Sequence, residues 1–272
     1  LKIGKATVAR SAICVSNEHH IVVRGKDLCR ELIGHVGFTE YFHLLLTGRQ
    51  PDAAARAVLD ATLVAIAEHG LVPSVQAARM TLAAAPDALQ GAVAAGILGC
   101  GSVILGASET AGRLFVQIDE AARQGNDDIA AAARAAVRTL RERRQPVPGY
   151  GHPQHKARDP RVARLFEVSR QAGGGQRYVA IAEAVEAAIP AIYQRDLKLN
   201  VSAAIPAVLL GVGFPVEALK GVPILARTAG LIAHLAEELA QPAGFALSYQ
   251  ATNGFEYTGE LPPDFDQPPG RT

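Results

Sequence analysis

The residues best equipped for chemistry lie in one stretch, Pro146–Arg161, which reads PVPGYGHPQHKARDPR. Its sixteen positions carry two imidazoles (His152, His155), three cations (Lys156, Arg158, Arg161) and one carboxylate, Asp159. Pro146, Pro148, Gly149 and Gly151 break any helix, so Tyr150 and His152 are expected on an ordered loop. Loop glycines let a backbone approach a ligand closely. Asp159 and Pro160 read as the N-cap and first-turn proline of a helix through Arg161–Gln171. Imidazoles and cations beside a helix start suit an anionic ligand. A solvated basic loop with a satisfied histidine accounts for the same residues, and the stretch alone does not separate the two. His152-x-x-His155 has metal-ligand spacing, but no third ligand is evident and no metal is expected.

Four further positions carry polar chemistry. His69 follows an apolar helix pattern and precedes Gly70, where a helix C-terminus favours a protonated ring; taken alone, such a residue is more often a plain capping histidine. Arg227 lies inside the apolar run Val222–Leu239, so it needs an anion, either a structural carboxylate or a ligand. Asn200-Val201-Ser202 precedes an apolar helix, and Ser202 reads first as an N-cap-like hydroxyl. Glu237-Glu238 reads as a solvated acidic face. The sequence has no P-loop, dinucleotide fingerprint or nucleophile elbow.

The elements that must position these residues are nearly all helical. Ala6–Arg24 carries β-branched residues broken by Asn17-Glu18, as in a small hairpin. Thr39 caps a short helix that Gly48 closes. Pro51 opens a helix with Leu59, Leu63 and Ile66 at i, i+4, i+7, ending at Glu68-His69-Gly70. Helices are predicted over Ser74–Ala84, Asp87–Leu105, Ser108–Gln124 and Asn126–Arg143. After the central loop come Asp159–Gln171, Arg177–Tyr193, Val201–Leu210 and Val222–Leu239. Gly173-Gly174-Gly175 is a hinge candidate or a loose connection. The tail from Gly259 is rich in Pro and Gly and is expected to be extended.

The 272 residues suffice for one large domain, with or without a smaller one. A formal net charge of +1 gives no reason to expect nucleic acid or a membrane surface as partner. Gly91–Ala107 is apolar but Gly- and Ala-rich, which suits a buried, closely packed helix better than a span of roughly 20 Leu- and Ile-rich residues. Cys14, Cys29 and Cys100 have no disulfide or metal spacing and fit a reducing cytosol. No apolar run follows the basic N-terminus, so no signal peptide is read and a cytoplasmic location is expected.

In order along the chain stand RGKDLCRELIGHVGFTEYFHLLLTGRQP, EHGLVPS, GSVILGAS, PGYGHPQHKARDPR, LNVSAAIPAVLLGVGFP and ARTAGLIAHLAEE. Together they resemble the citrate synthase superfamily up to about Glu238. The pattern is most similar to the short citryl-CoA lyase-like proteins, which resemble the C-terminal module of ATP-citrate lyase. The resemblance implies an all-α fold with a large and a small domain and a short β hairpin at the N-terminus. The large domain would comprise residues 1–125 and 195–258, with a dimer interface at about 87–124. Residues 126–194 would form the small domain and 259–272 the tail.

The resemblance also implies roles. His152 matches the loop histidine that hydrogen-bonds the keto or hydroxyl oxygen of oxaloacetate or citrate. Arg161 and Arg227 match carboxylate-binding arginines, and His69 a substrate histidine. The backbone of Pro146–Gly151, including Pro148, Gly149, Tyr150 and Gly151, matches the cradle for the adenine of coenzyme A. Lys156 matches the basic position near its phosphates. Two departures stand out: Ile104 occupies the place of the general-acid histidine of synthases, and Ser202 that of the catalytic aspartate. A neutral hydroxyl is a poor base at pH 7, where a positioned base contributes about 10²–10⁴ in rate. The second C-terminal arginine of synthases has no match in GFALSYQATNGFEY. The expected activity is cleavage, or the reverse condensation, of a citryl-CoA-like thioester by a homodimer or larger homo-oligomer. The alternatives are a pseudoenzyme that binds acyl-CoA or a dicarboxylate, and a lyase or synthase for another 3-hydroxy-3-carboxyacyl-CoA.

Overall fold

The computed structural model describes residues 9–101, 105–151, 159–263 and 265. The chain is all-α apart from a small N-terminal sheet. The sheet holds β1 (Cys14–Ser16), β2 (Ile21–Val23) and β3 (Lys26–Asp27), antiparallel in that order. Cys14 pairs with Val23 and Ser16 with Ile21 across the predicted hairpin, whose Asn17 side chain accepts from the amides of His19 and His20. The sheet has one strand more than expected. Arg24 and Gly25 both take positive φ (51° and 82°), the two-residue turn that folds a third strand onto β2.

Eleven α-helices follow among the described residues. They are α1 (Phe38–Thr47), α2 (Ala53–Ala67), α3 (Pro73–Ala84), α4 (Leu89–Leu98), α5 (Gly106–Gln124) and α6 (Ile129–Glu142). Then come α7 (Pro160–Gln171), α8 (Arg177–Tyr193), α9 (Val201–Gly211), α10 (Gly221–Ala240) and α11 (Gly244–Asn253). Gly37 rather than Thr39 caps α1, with the Glu40 side chain bonding back to the Gly37 amide. The helix expected over Asp87–Leu105 stops at Leu98, where Gly99-Cys100-Gly101 follows. Helix α11 was not anticipated from the sequence.

The chain divides into two compact units. One comprises residues 1–70 and 97–230. Its centre is α9, where Val201 and every residue from Ala203 to Leu210 are buried. A helix that is apolar all round belongs inside, and α2, α5, α7 and α8 pack around this one. Pro206 sits within α9 and carries no N–H for the Ser202 carbonyl one turn earlier. Gly112 admits the close approach of α5: a Cβ there would lie 3.1 Å from Pro206 Cβ and closer still to Leu219. The glycine triplet is no loose joint. Gly174 N–H donates to Ser169 O at 2.8 Å and Gly175 N–H to Gly211 O at 3.0 Å. A Cβ on Gly174 or Gly175 would strike those same neighbours.

The other unit comprises residues 71–96 and 231–272. Here α11 packs on α3, and a buried ion cluster joins them to the end of α10. Arg79, 4% exposed, donates to Glu238 at 2.7 Å, Glu237 at 2.6 Å and the Gln241 carbonyl at 3.0 Å. Glu238 also accepts from the amides of Ala243 and Gly244, which fixes the start of α11. Glu238 is therefore no solvated acid. Its burial would raise its pKa, but those amides and Arg79 outweigh it and hold the carboxyl below the usual range.

Candidate active site

Four of the six sequence-nominated side chains fall in the first unit and can be placed: His69, Arg161, Ser202 and Arg227. His152 and Lys156 lie outside the described residues, as do His155, Arg158 and Ile104.

The anchor of the site is Asp159, 1% exposed. It caps α7 as the sequence predicts, accepting from the Arg161 amide at 3.1 Å. It does more than cap. Its Oδ2 accepts from the Val201 amide at 3.1 Å, so one carboxylate faces the N-termini of α7 and α9 together. Both dipoles favour a negative charge there. The Arg161 fork closes on it, with Nε to Oδ1 at 2.9 Å and Nη2 to Oδ2 at 2.8 Å. Burial works to raise the Asp159 pKa; Arg161 and the two amides overcome it and leave the carboxyl below its ordinary value. Arg161 Nη1 makes a longer contact, 3.4 Å, with the Ala65 carbonyl near the end of α2. Three of the five guanidinium N–H bonds are then committed and two remain for another acceptor.

The end of α2 carries His69. Glu68 leaves helical geometry at the C-cap, and its side chain accepts from the His69 amide at 2.8 Å. Gly70 then turns with φ 73°. Helix α10 presses on this same end, since a Cβ on Gly230 would overlap the Ala67 carbonyl and lie 3.2 Å from Glu68 Oε2. Arg227 is three residues before Gly230, hence one turn back on the same face. It is 4% exposed, and its Nε and Nη1 are buried without a hydrogen-bond partner among the described residues. A buried guanidinium with two idle donors costs several kcal/mol unless an anion meets it (~3–5 for a broken buried pair). Among the described residues no carboxylate does so.

Ser202 lies in the first turn of α9. The cap is Asn200, whose Oδ1 accepts from the Ser202 amide at 2.9 Å, so the N-cap reading of Ser202 is corrected. Asn is at least as good a cap as Ser, and it directly precedes the apolar run. The Ser202 hydroxyl has no partner among the described residues. Asn200 also ties the central loop down. Its Nδ2 donates to Gly151 O at 2.6 Å, its amide to Gly149 O at 3.0 Å, and Gly151 N–H donates to Lys198 O at 2.7 Å. Gly149 and Gly151 take φ 84° and 81°, and a Cβ on Gly149 would lie 2.5 Å from Ala203 Cβ. Gly149 thus serves close packing on α9, whereas Gly151 faces Leu197. The Tyr150 ring turns into the core and its hydroxyl donates to Ala182 O at 2.7 Å. Burial, with Glu186 nearby, pushes that phenol well above its ordinary pKa.

An open groove of about 770 Å³ borders the loop. Pro146, Val147 and Tyr150 form one side; Arg141, Arg144, Tyr193, Arg195 and Leu197 complete it. These arginines are spread over fifty residues of sequence, and no local pattern marks them. Among the described residues no group of three or more His, Cys, Asp or Glu is placed to hold a metal, and no helix is long and apolar enough to cross a membrane.

Residues 37–244 match the sequence profile of the citrate synthase C-terminal domain. The citrate synthase of Synechocystis is 27% identical over 226 residues, 81% of this chain and 54% of its own length. That of Haloferax volcanii is 25% identical over 200 residues, 72% and 50% respectively. The chain spans about half the length of the curated relatives it matches. The solved citryl-CoA lyase of Hydrogenobacter thermophilus superposes with a TM-score of 0.82 at 32% identity, covering 96% of this chain and 98% of that one. The ATP citrate lyase of Methanosaeta concilii, a D541A mutant in complex with (3S)-citryl-CoA, shares the fold (TM-score 0.73, 22% identity, 96% of this chain and 43% of that one). With the profile spanning most of the chain, and a citryl-CoA lyase matching it end to end, the chain belongs to the citrate synthase family.

Proposed function

We propose that the chain cleaves, or in reverse forms, the carbon–carbon bond of a citryl-CoA-like thioester, giving acetyl-CoA and oxaloacetate. The observation that carries this reading is Arg227, a buried guanidinium with two idle donors beside the helix end that bears His69. Arg161 reaches the same end with two N–H bonds to spare. A dicarboxylate supplies the anions that such forks need. Cleavage moves one proton from the C3 hydroxyl toward His152 as the C2–C3 bond breaks. The bond electrons pass to the thioester enolate, which then takes a proton at carbon. Arg161, Arg227 and His69 hold the oxaloacetate half, and preorganised cations of this kind stabilise the developing charge. The enolate's proton must come from a group other than Ser202.

Coenzyme A is proposed to lie along the central loop, with the groove beside Pro146 and Val147 for its adenosine and Lys156 near its diphosphate. Residues 126–194 would act as the small domain. The dimer would form through α4 and α5: Leu89, Gly91, Ala94 and Leu98 leave one side of α4 apolar and exposed, Leu98 at 84%. Small residues permit close helix approach there.

A second reading is favoured by Ser202, a neutral hydroxyl with no hydrogen-bond partner among the described residues, where the resemblance implies a carboxylate. On it the chain is a binding protein that keeps acyl-CoA or dicarboxylate affinity without turnover. Incubation with citryl-CoA, with free oxaloacetate followed by coupled reduction, separates the two. Release of oxaloacetate supports the lyase. Thermal stabilisation by oxaloacetate and CoA without release supports the binding protein. No stabilisation by either ligand at millimolar concentration overturns the pocket itself.

A further inference from the structure

Helices α5 and α9 run side by side in the same direction, and α8 shows it. The chain entering α8 is tied to the end of α9, where Gly175 N–H donates to Gly211 O. Further along α8, Glu186 accepts from the Leu199 amide, just before α9 begins. Helix α8 is therefore antiparallel to α9. The end of α5 meets the start of α8, since Asp119 accepts from Arg177 and, at 3.4 Å, from the Tyr178 hydroxyl. Helix α5 is antiparallel to α8 in turn, hence parallel to α9. Their register is set where a Cβ on Gly112 would lie 3.1 Å from Pro206 Cβ. One turn back from that contact stand Ser108 on α5 and Ser202 on α9, each in the first turn of its helix.

Ser108 is wholly buried, and its Oγ has no hydrogen-bond partner among the described residues. A helical hydroxyl has an acceptor at hand in the carbonyl one turn earlier, and Thr62, Thr81, Thr110 and Thr228 each use it. Ser108 does not. A buried donor left unmet is costly, and a ligand oxygen can meet it. Ser74 and Ser169 share the lack, but Ser74 lies in the other unit and Ser169 Oγ is closed in by Gly174, a Cβ on which would lie 2.6 Å away. The start of α5 is also short of a cap. Leu105 at the N-cap has no side-chain acceptor for the first amides, and the first-turn acid Glu109 is engaged with Arg113. The positive end of the helix is left uncompensated. Helical side chains lean toward the N-terminus, which aims the Ser108 hydroxyl at this same end.

In the function proposed above, the acyl α-carbon lies beside Ser202. The thioester carbonyl, one bond from that carbon, then falls between the starts of the two parallel helices. We infer, on that citryl-CoA reading, that the Ser108 hydroxyl donates to the thioester carbonyl oxygen and holds the enolate oxyanion as the carbon–carbon bond breaks. The electron pair of that bond passes through the α-carbon to the carbonyl oxygen. The C3 hydroxyl proton leaves toward His152, and Ser108 keeps its own proton throughout. The hydroxyl is a fixed donor aimed where charge develops, with the α5 dipole behind it. It supplies from α5 the donor that the side chain of Ile104 cannot.

Steady-state cleavage of citryl-CoA and calorimetric binding of carboxymethyl-CoA test this. Carboxymethyl-CoA offers a carboxylate oxygen in place of the enolate oxygen, and its binding needs no turnover. Ser108→Ala should lower kcat about 10²- to 10³-fold at nearly unchanged KM, the usual cost of one lost oxyanion donor. It should weaken carboxymethyl-CoA about 10-fold or more and leave CoA within about twofold. Its melting temperature should equal or exceed that of wild type, because an unmet buried hydroxyl is removed. Ser108→Cys, similar in size and a weak donor, should fall between the two in kcat. A Ser108→Ala enzyme with kcat within about threefold of wild type would overturn the assignment and leave the lyase reading standing. Unchanged affinity for carboxymethyl-CoA would overturn it too, as would melting many degrees lower in both variants, which marks a structural hydroxyl. If wild type binds carboxymethyl-CoA through Ser108 but releases no oxaloacetate, the subsite stands and the lyase reading falls. If wild type binds neither CoA nor carboxymethyl-CoA, both fall.

Discussion

Replacing Arg227 with methionine separates a ligand-binding arginine from a structural one, because the two predict opposite changes in stability. Arg227 is 4% exposed and its Nε and Nη1 meet no partner among the described residues. In the ligand-free protein this cation pays its desolvation cost without return. Replacing buried charges by apolar residues of similar volume is often neutral or stabilising by about 1–4 kcal/mol. At ~2–4 °C per kcal/mol for large chains, ligand-free Arg227→Met should melt at the wild-type temperature or several degrees above it. The ligand term runs the other way. Oxaloacetate at a hundred times its Kd stabilises wild type by about 2.7 kcal/mol, and the variant should lose essentially all of this. Differential scanning fluorimetry with and without oxaloacetate reads both numbers. If the ligand-free variant instead melts far lower, by the ~3–5 kcal/mol of a broken buried pair, Arg227 has a structural counter-ion and the argument from its idle donors fails.

Ser202→Asp should restore a carboxylate at the start of α9 and raise citryl-CoA cleavage by about 10²-fold or more; a variant that folds and binds CoA without any gain would show that the missing base is not the sole defect. Gly149→Ala should cost at least about 2 kcal/mol and weaken CoA binding, since φ is 84° and the new methyl meets Ala203; an unchanged denaturation midpoint would show that the loop yields freely. The Asp159 carboxyl is held below its ordinary value of 3.8, so its stabilisation is complete above that pH and is lost as pH falls through the depressed folded-state value. In Arg161→Met burial would prevail and raise that pKa, moving the acid limb of the melting profile to higher pH; coincident limbs in the two proteins would contradict this. Leu98→Glu should yield a folded monomer by light scattering, because Leu98 is 84% exposed in the single chain; an unchanged oligomer would remove α4 from the interface.

The helices were legible because their ends carry strong local chemistry. Asp159-Pro160, Gly48 and the Arg177–Tyr193 apolar pattern place those boundaries within a residue or two. Helix α11 was illegible because its cap comes from Glu238, a side chain held by Arg79 from another helix. Glu237-Glu238 misled for the same reason: adjacent acids look solvated until a distant arginine is placed over one of them. At the candidate site, residue type drew attention to His69, Arg161 and Arg227, and the family resemblance assigned their roles. The double role of Asp159 was hidden, since nothing local to it announces the Val201 amide forty-two residues on. The three-arginine groove was hidden too, because two helix ends meet only in the folded chain.

The bonds between residues 149–151 and 198–200 have a kinetic consequence. They close a loop of about fifty residues that contains all of α7 and α8. Closing such a loop costs about 3.5 kcal/mol of chain entropy by the (3/2)RT ln n rule. The amides of Gly151 and Asn200 cannot be protected until α8 and α9 have packed. This segment should order late in refolding and open early in unfolding. Pulse-labelled hydrogen exchange would show those two amides gaining protection together, after the centre of α9. Protection of either before the α9 core would reverse the order.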